Sequence, residues 1–234
     1  MKVLVIDIGG NSVKVFVTGE TEPRKFPSGP ALTPHEMVSA LHKLTEDWDY
    51  DVVSIGYPGR ARDNRPVAEP NNLGRGWVKF DFKKALGVPF KLMNDAAMQG
   101  LGSYRGGTML FLGLGTGLGT ALVVDGTVVP MELGQLSYRG GTYESYLGLN
   151  GLKRLGIAKW RDVVRDVVAR FFSALELDEV VIGGGNVNKM DKMPPGCRAG
   201  DNAHAFRGGI LLWNQNGGVS SASRQVARRR PRRS

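Results

Sequence analysis

The stretch LGLGTGLGTALVVDG, Leu112 to Gly126, decides the fold. Gly113, Gly115, Gly117 and Gly119 fall between two apolar strand-like runs, MLFL and ALVV. Glycine at alternate positions lets backbone N–H groups crowd together and point at one anion, because no Cβ blocks them. The start of the chain repeats the layout. In VLVIDIGGNSVKVFV, Val3 to Val17, an apolar strand, a glycine turn with a nearby hydroxyl and a second apolar strand follow one another. Dinucleotide and P-loop fingerprints both require a helix directly after the glycines. A strand follows here, so both are excluded. Two hairpin turns of this kind predict a cleft that grips one phosphate chain from two sides; a lone glycine turn is more often an ordinary hairpin.

The intervening segments predict an α/β unit used twice. Thr33, Pro34 and Glu36 form the capping signature of a helix whose apolar face is Met37, Leu41, Leu44 and Trp48. VVSIGYPG and VPFKLMND read as strands, the second passing into a helix, AAMQGLGSY. Between them RARDNRPVAEPNNLGRGW reads as a long polar loop, and such loops are often functional. Asp125-Gly126 is a hairpin signal. TYESYLGLNGLKRLG reads as an interrupted helix, Lys159–Leu175 as an amphipathic one, EVVIGGG as a strand with a third glycine turn, and AHAFRGGILLW as a final helix.

Composition narrows the class. With 234 residues and 41% hydrophobic content the chain can bury a sizeable core. A single cysteine, Cys197, excludes an internal disulfide and any multi-cysteine zinc site, and fits a reducing cytoplasm. The first apolar run is broken at Asp7 and Gly9, unlike a leader, and no run approaches the ~18 residues of a membrane span. The net charge of +9 is concentrated in ASRQVARRRPRRS, Ala222 to Ser234, which holds six arginines; without them 25 basic groups face 22 acidic ones. That tail is expected to be disordered, and to be either an unconstrained extension or a polyanion-binding arm.

Several residues carry chemistry on this reading. Asp7, at the end of a buried strand beside a glycine turn, can hold Mg²⁺ directly or through water, or simply cap the turn. Lys14 can reach a phosphate or stand solvated. Asp95, where strand meets helix, is either a cap or a general base for an attacking hydroxyl. Glu132, Glu144, Asn71 and Asn72 suit sugar hydroxyls, with Trp77 expected as an apolar wall.

Together DIGGNSVK, PNNLGRGW, NDAAMQG, LGLGTGLGTALVVDG, ELGQ, VVIGGG and AHAFRGGILLW resemble the ROK sugar kinases of the actin/hexokinase-like ATPase superfamily, the polyphosphate glucokinase branch above all. The resemblance runs from Met1 to about Trp213. It implies an α/β, two-lobed actin-like ATPase (ribonuclease H-like) fold with a duplicated unit and a central cleft. The implied lobes are 1–105, joined by the final helix at about 203–213, and 106–202, with 214–234 as the tail. It implies transfer of a phosphoryl group from polyphosphate and/or ATP to the 6-hydroxyl of glucose or a related hexose. Asp7, Gly9, Gly10, Asn11 and Lys14 would form one phosphate region and Gly115, Thr116, Gly117 and Gly119 the other. Gly183, Gly184 and Gly185 would lie near an adenosine. Asn94 would hold the sugar, Asp95 would be the base, and Asn72, Glu132, Gln135 and Glu144 would bind hydroxyls. Mg²⁺ is the implied metal, at Asp7.

The chain departs from the family at Gln135, where the family reads His, and at SYRGGTYES, which replaces a zinc-binding cysteine cluster; no structural zinc is expected. The implied partners are a hexose and a phosphoryl donor, with a homodimer open, no membrane, and nucleic acid only through the tail. A non-catalytic sugar- or nucleotide-sensing protein of the same fold is the alternative.

Overall fold

In the computed structural model, residues 1–214 are described. The Arg-rich tail, and any nucleic-acid contact through it, lie outside the described residues. The first half runs β1 (Val3–Ile8), β2 (Ser12–Val17), β3 (Arg24–Pro27), α1 (Pro34–Leu44), β4 (Val52–Tyr57), a short hairpin of β5 (Ala61–Arg62) and β6 (Arg65–Pro66), α2 (Phe82–Leu86), β7 (Phe90–Asn94) and α3 (Asp95–Ser103). The second runs β8 (Thr108–Leu114), β9 (Leu118–Val124), β10 (Thr127–Met131), β11 (Ser137–Tyr138), β12 (Gly141–Thr142), α4 (Tyr143–Leu147), α5 (Leu149–Leu155), α6 (Ile157–Leu175), β13 (Glu179–Gly183), β14 (Cys197–Ala199) and α7 (His204–Asn214).

The halves share one topology. One five-stranded sheet has the order β3-β2-β1-β4-β7 and the other β10-β9-β8-β13-β14. In each, the first three strands pair antiparallel and the remaining two join in parallel. The duplication read from the sequence is therefore present strand for strand.

Strand periodicity assigns the sheet faces, because successive side chains point to opposite sides. Leu4, Ile6 and Ile8 pack with Met37, Val38 and Leu41 of α1 and Phe82 of α2, whereas Val3 and Val5 pack with Ala205 and Phe206 of α7. In the second sheet Leu110, Leu112 and Leu114 pack against Trp160, Val164 and Val168 of α6, whereas Met109 and Phe111 face Ala96 and Ala97 of α3. Both central strands are buried on both faces, which explains their near-continuous apolar runs.

The helices that end the two halves are exchanged. α3 follows the first sheet but packs mainly on the second, with Met98 reaching Val3 and Val5 of the first; α7 follows the second sheet but covers the first. They cross each other with backbones in direct approach. A Cβ added to Gly102 would lie 1.8 Å from the His204 carbonyl oxygen, and one added to Gly208 would lie 1.8 Å from the Met98 carbonyl oxygen. Only glycine fits either position. α7 is further tied to β4 through Ser54, whose hydroxyl donates to the Gly209 carbonyl at 2.6 Å and accepts from Trp213 Nε1 at 2.9 Å.

Local signals hold closely. Thr33 and Glu36 make the reciprocal capping box at α1. Asp125 and Gly126 have φ of 48° and 76°, the left-handed pair of a tight hairpin. The interrupted helix is two helices, α4 and α5. Among the described residues no helix is long and apolar enough to cross a membrane.

Candidate active site

Asp7 lies near the end of β1, in register with Lys14 on one side and Gly56 on the other. The following turn closes with Gly9 N donating to the Ser12 carbonyl at 3.0 Å, and Ser28 braces it by donating from Oγ to the Gly9 carbonyl at 2.6 Å. Asn11 is exposed at the tip. A Cβ on Gly10 would stand 3.5 Å from the Asn72 Cβ, so the polar loop comes over the first glycine turn. Glu69 orders that loop: its carboxylate accepts from the backbone N–H groups of Gly76 and Trp77 at 3.1 Å and of Val78 at 3.3 Å.

Trp77 corrects the expectation of an apolar wall. It is fully buried in the core beneath the loop, between Tyr57 and Phe82, with ring centroids 5.7 and 6.5 Å away. Burial of so large an apolar surface outweighs any role at the cleft. Asn71 and Asn72 stay exposed.

Asn94 caps α3: its Oδ1 accepts from Ala97 N at 3.1 Å, and its Nδ2 donates to the Gly59 carbonyl at 3.1 Å. The cap is thus Asn94, which frees its neighbour. Asp95 is the first residue of α3, with Oδ1 accepting from Ala96 N at 2.8 Å. Burial, then the charge of Asp7, pushes its carboxyl up to about 7, against the lowering effect of the Ala96 amide; Glu132 adds a smaller upward push. Asp7 is itself raised by burial, which outweighs the nearby Lys14 ammonium. Glu132 is raised by its surroundings against the pull of Arg60. Carboxylates from β1, α3 and the end of β10 therefore share one electrostatic field.

The second glycine turn is closed by Gly115 N donating to the Gly117 carbonyl at 3.1 Å. Its carbonyls are tied back: Leu149 N donates to the carbonyls of Gly115 and Thr116 at 3.1 Å, and Asn186 Nδ2 donates to that of Gly115 at 3.0 Å. Thr116 is exposed, and a Cβ on Gly115 would meet nothing within 4 Å, so this edge is open to a ligand. Gly117 and Gly119 serve close approach: added Cβ atoms would lie 2.5 Å from Glu144 Oε2 and 2.7 Å from the Ala96 methyl. Gly184, at φ +84°, sits against the Leu114 carbonyl, while Gly185 is open. The third glycine turn thus joins the second, through Asn186.

Glu144 Oε2 accepts from Leu118 N at 3.1 Å, and Gln135 Nε2 donates to Oε1 at 3.4 Å. The structure thereby brings Gln135 and Glu144 to the second turn, and Asn72 to the first, while Glu132 interacts with Asp95 and Glu144 through its charge. Arg60 and Asn186 were missed by sequence reasoning. Asn186, directly after three glycines, had a local signal; Arg60 had none.

The ROK family pattern matches residues 3–135. The chain belongs to the ROK family. The polyphosphate glucokinase of Mycobacterium tuberculosis (strain CDC 1551 / Oshkosh) is 24% identical over 213 residues, 81% of this chain and 80% of that protein. The N-acetylmannosamine kinase of Salmonella newport (strain SL254) is 27% identical over 158 residues, 61% of this chain and 54% of that one. The inorganic polyphosphate/ATP-glucomannokinase from Arthrobacter sp. strain KM superposes with a TM-score of 0.77 at 22% identity, covering 92% of this chain and 99% of that one. A ROK family glucokinase from Streptomyces griseus, solved with glucose and AMPPNP, gives 0.73 at 18% identity, with 92% and 100% covered. This ROK chain has the fold of those kinases, the two-lobed actin-like arrangement that the family resemblance implied.

Proposed function

We propose that this ROK chain is a hexose kinase that moves a phosphoryl group from polyphosphate or ATP to the 6-hydroxyl of glucose or a related hexose. The observation that carries the reading is the placement of Asp95: it opens α3 one residue before Ala96, the residue that meets Gly119 of the second glycine turn, and burial with the nearby Asp7 charge raises its carboxyl to about 7. A base with that value is poised to take a proton near neutral pH. The kinase names of the relatives support the reaction class. Glucose is favoured by the polyphosphate glucokinase that aligns over 81% of this chain, and N-acetylmannosamine kinases are relatives too.

On this reading the roles are as follows. The lobes are 1–105 with α7, and 106–202. The turns at Gly9–Lys14 and Gly115–Gly119 face the donor phosphates, with Gly184 and Gly185 alongside. Asn94 positions the base by capping its helix and has one further N–H to offer the sugar. Glu132, Gln135, Glu144 and Asn72 receive hydroxyls. Asp7 supplies the oxygen donor that a hard cation takes, and a positive ion there relieves the repulsion that raises Asp95, so the residues fit Mg²⁺. When bound, Mg²⁺ would neutralise charge on the donor phosphates. Little covalent work falls to the protein; it orients the hydroxyl, accepts its proton at Asp95 and excludes water.

The test is direct: purified protein with Mg²⁺, glucose, mannose or N-acetylmannosamine, and either ATP or polyphosphate, followed by assay of sugar 6-phosphate. Product from at least one pair supports the reading. Sugar binding with no product from any pair overturns it in favour of a sensor.

A further inference from the structure

The segment bearing Glu132, Gln135 and Glu144 is held by a cluster of tyrosines and charges that the proposed chemistry does not use. β11 and β12 form a hairpin of two residues a side, turned by Arg139 and Gly140 at φ of 48° and 80°. α4 has five residues. Neither element is stable alone, so both depend on tertiary support.

Tyr138 supplies it. Its ring, 5% exposed, stacks on Tyr143 with centroids 4.9 Å apart and meets Tyr146 edge-on at 5.2 Å. Tyr143 in turn meets Phe171 of α6 at 4.9 Å. The Tyr138 hydroxyl donates to Asp166 Oδ2 of α6 at 2.6 Å, and the same oxygen accepts from Arg139 Nη2 at 3.2 Å and Arg170 Nε at 3.1 Å. Tyr146 donates to the Arg139 carbonyl at 2.7 Å, and Arg154 lies over the Tyr146 ring at 4.8 Å. Tyr143 and Tyr146 flank Glu144 on α4. The arginines are exposed, and exposed ion pairs contribute little. The Tyr138 bond, from a part-buried hydroxyl to a carboxylate, belongs to the stronger, charge-assisted class.

We propose that Tyr138 and Asp166 are positioning residues for the sugar side of the site. Their bond docks the hairpin on α6 and so fixes α4. Glu144 is thereby kept against the Leu118 amide and Gln135. The kinetic part of this inference rests on the reading of Glu144 as a hexose contact; the structural part does not.

Tyr138→Phe keeps the ring stack and removes only the hydroxyl, and Asp166→Asn removes the charge. Two readouts separate the parts. The first is hydrogen exchange of the Leu118 amide, compared with Glu144→Ala as the full loss of its acceptor. Both variants are expected to speed exchange about fivefold, the factor that corresponds to one hydrogen bond of ordinary net strength. The second is the kinetic split: hexose KM rising about fivefold, with kcat and donor KM within about twofold, and no further rise when Tyr138→Phe is added to Glu144→Ala. Leu118 exchange unchanged in both variants while Glu144→Ala accelerates it would overturn the proposal, as would a KM effect that persists undiminished in the Glu144→Ala background. A protein inactive toward every sugar removes the kinase reading, and the exchange readout then decides the positioning by itself.

Discussion

Gly119 in β9 faces Ala96 in α3 so closely that a Cβ on the glycine would stand 2.7 Å from the alanine methyl. The second glycine hairpin and the helix carrying Asp95 are thus in backbone-limited contact, and neither surface has a side chain that can rotate aside. Gly119→Ala forces the two apart. Overpacking of this kind costs ~1–3 kcal/mol, and a small displacement of a base costs up to ~10²-fold in rate. We expect kcat to fall at least about tenfold and Tm to fall by roughly 5 °C, read from steady-state kinetics and thermal melts. A variant with wild-type kcat would refute the link.

Asp95→Asn removes the proton acceptor but preserves shape. Turnover should drop by ~10²–10⁴, while hexose affinity, measured by calorimetry, stays within about threefold. Near-wild-type turnover would show that the base lies elsewhere.

The same substitution should stabilise the fold at neutral pH. Asp95 has an ordinary value of 3.8 and is raised to about 7 when folded. Between those values the native state binds the extra proton, so wild-type stability declines as pH rises and levels off above about 7. In metal-free buffer Asp95→Asn and wild type should melt alike near pH 4, and the variant should gain on the order of 4 kcal/mol, or ~10 °C, by pH 8. A difference in Tm that is independent of pH would contradict the raised carboxyl.

Glu69→Ala deletes the acceptor of three loop N–H groups. The loop that brings Asn72 over Gly10 loses its brace, and hexose KM is expected to rise about threefold, at a stability cost of ~1–2 kcal/mol. Glu69→Gln retains a carbonyl acceptor and should recover most of both. Equal damage from the two would point to charge rather than hydrogen bonding.

Much of the fold was legible because it rests on short-range chemistry. Strand–glycine–strand runs, the Thr33–Glu36 box and the Asp125–Gly126 turn depend on residues within a few positions of one another, so period and turn propensity reveal them. The paired glycine motifs likewise led to the duplicated topology and to the family. Tertiary structure decided what depends on distant neighbours. Trp77 is core because Tyr57 and Phe82 enclose it. Asn94 takes the cap, leaving Asp95 unengaged by it. Gly117 and Gly119 are glycine because Glu144 and Ala96 approach them. The exchange of α3 and α7 between sheets, and the burial and Asp7 charge that lift Asp95 toward neutrality, arise from packing between segments tens of residues apart. Pattern along a chain reports which face a residue presents; it carries no information on which distant carboxylate, methyl or ring will meet that face.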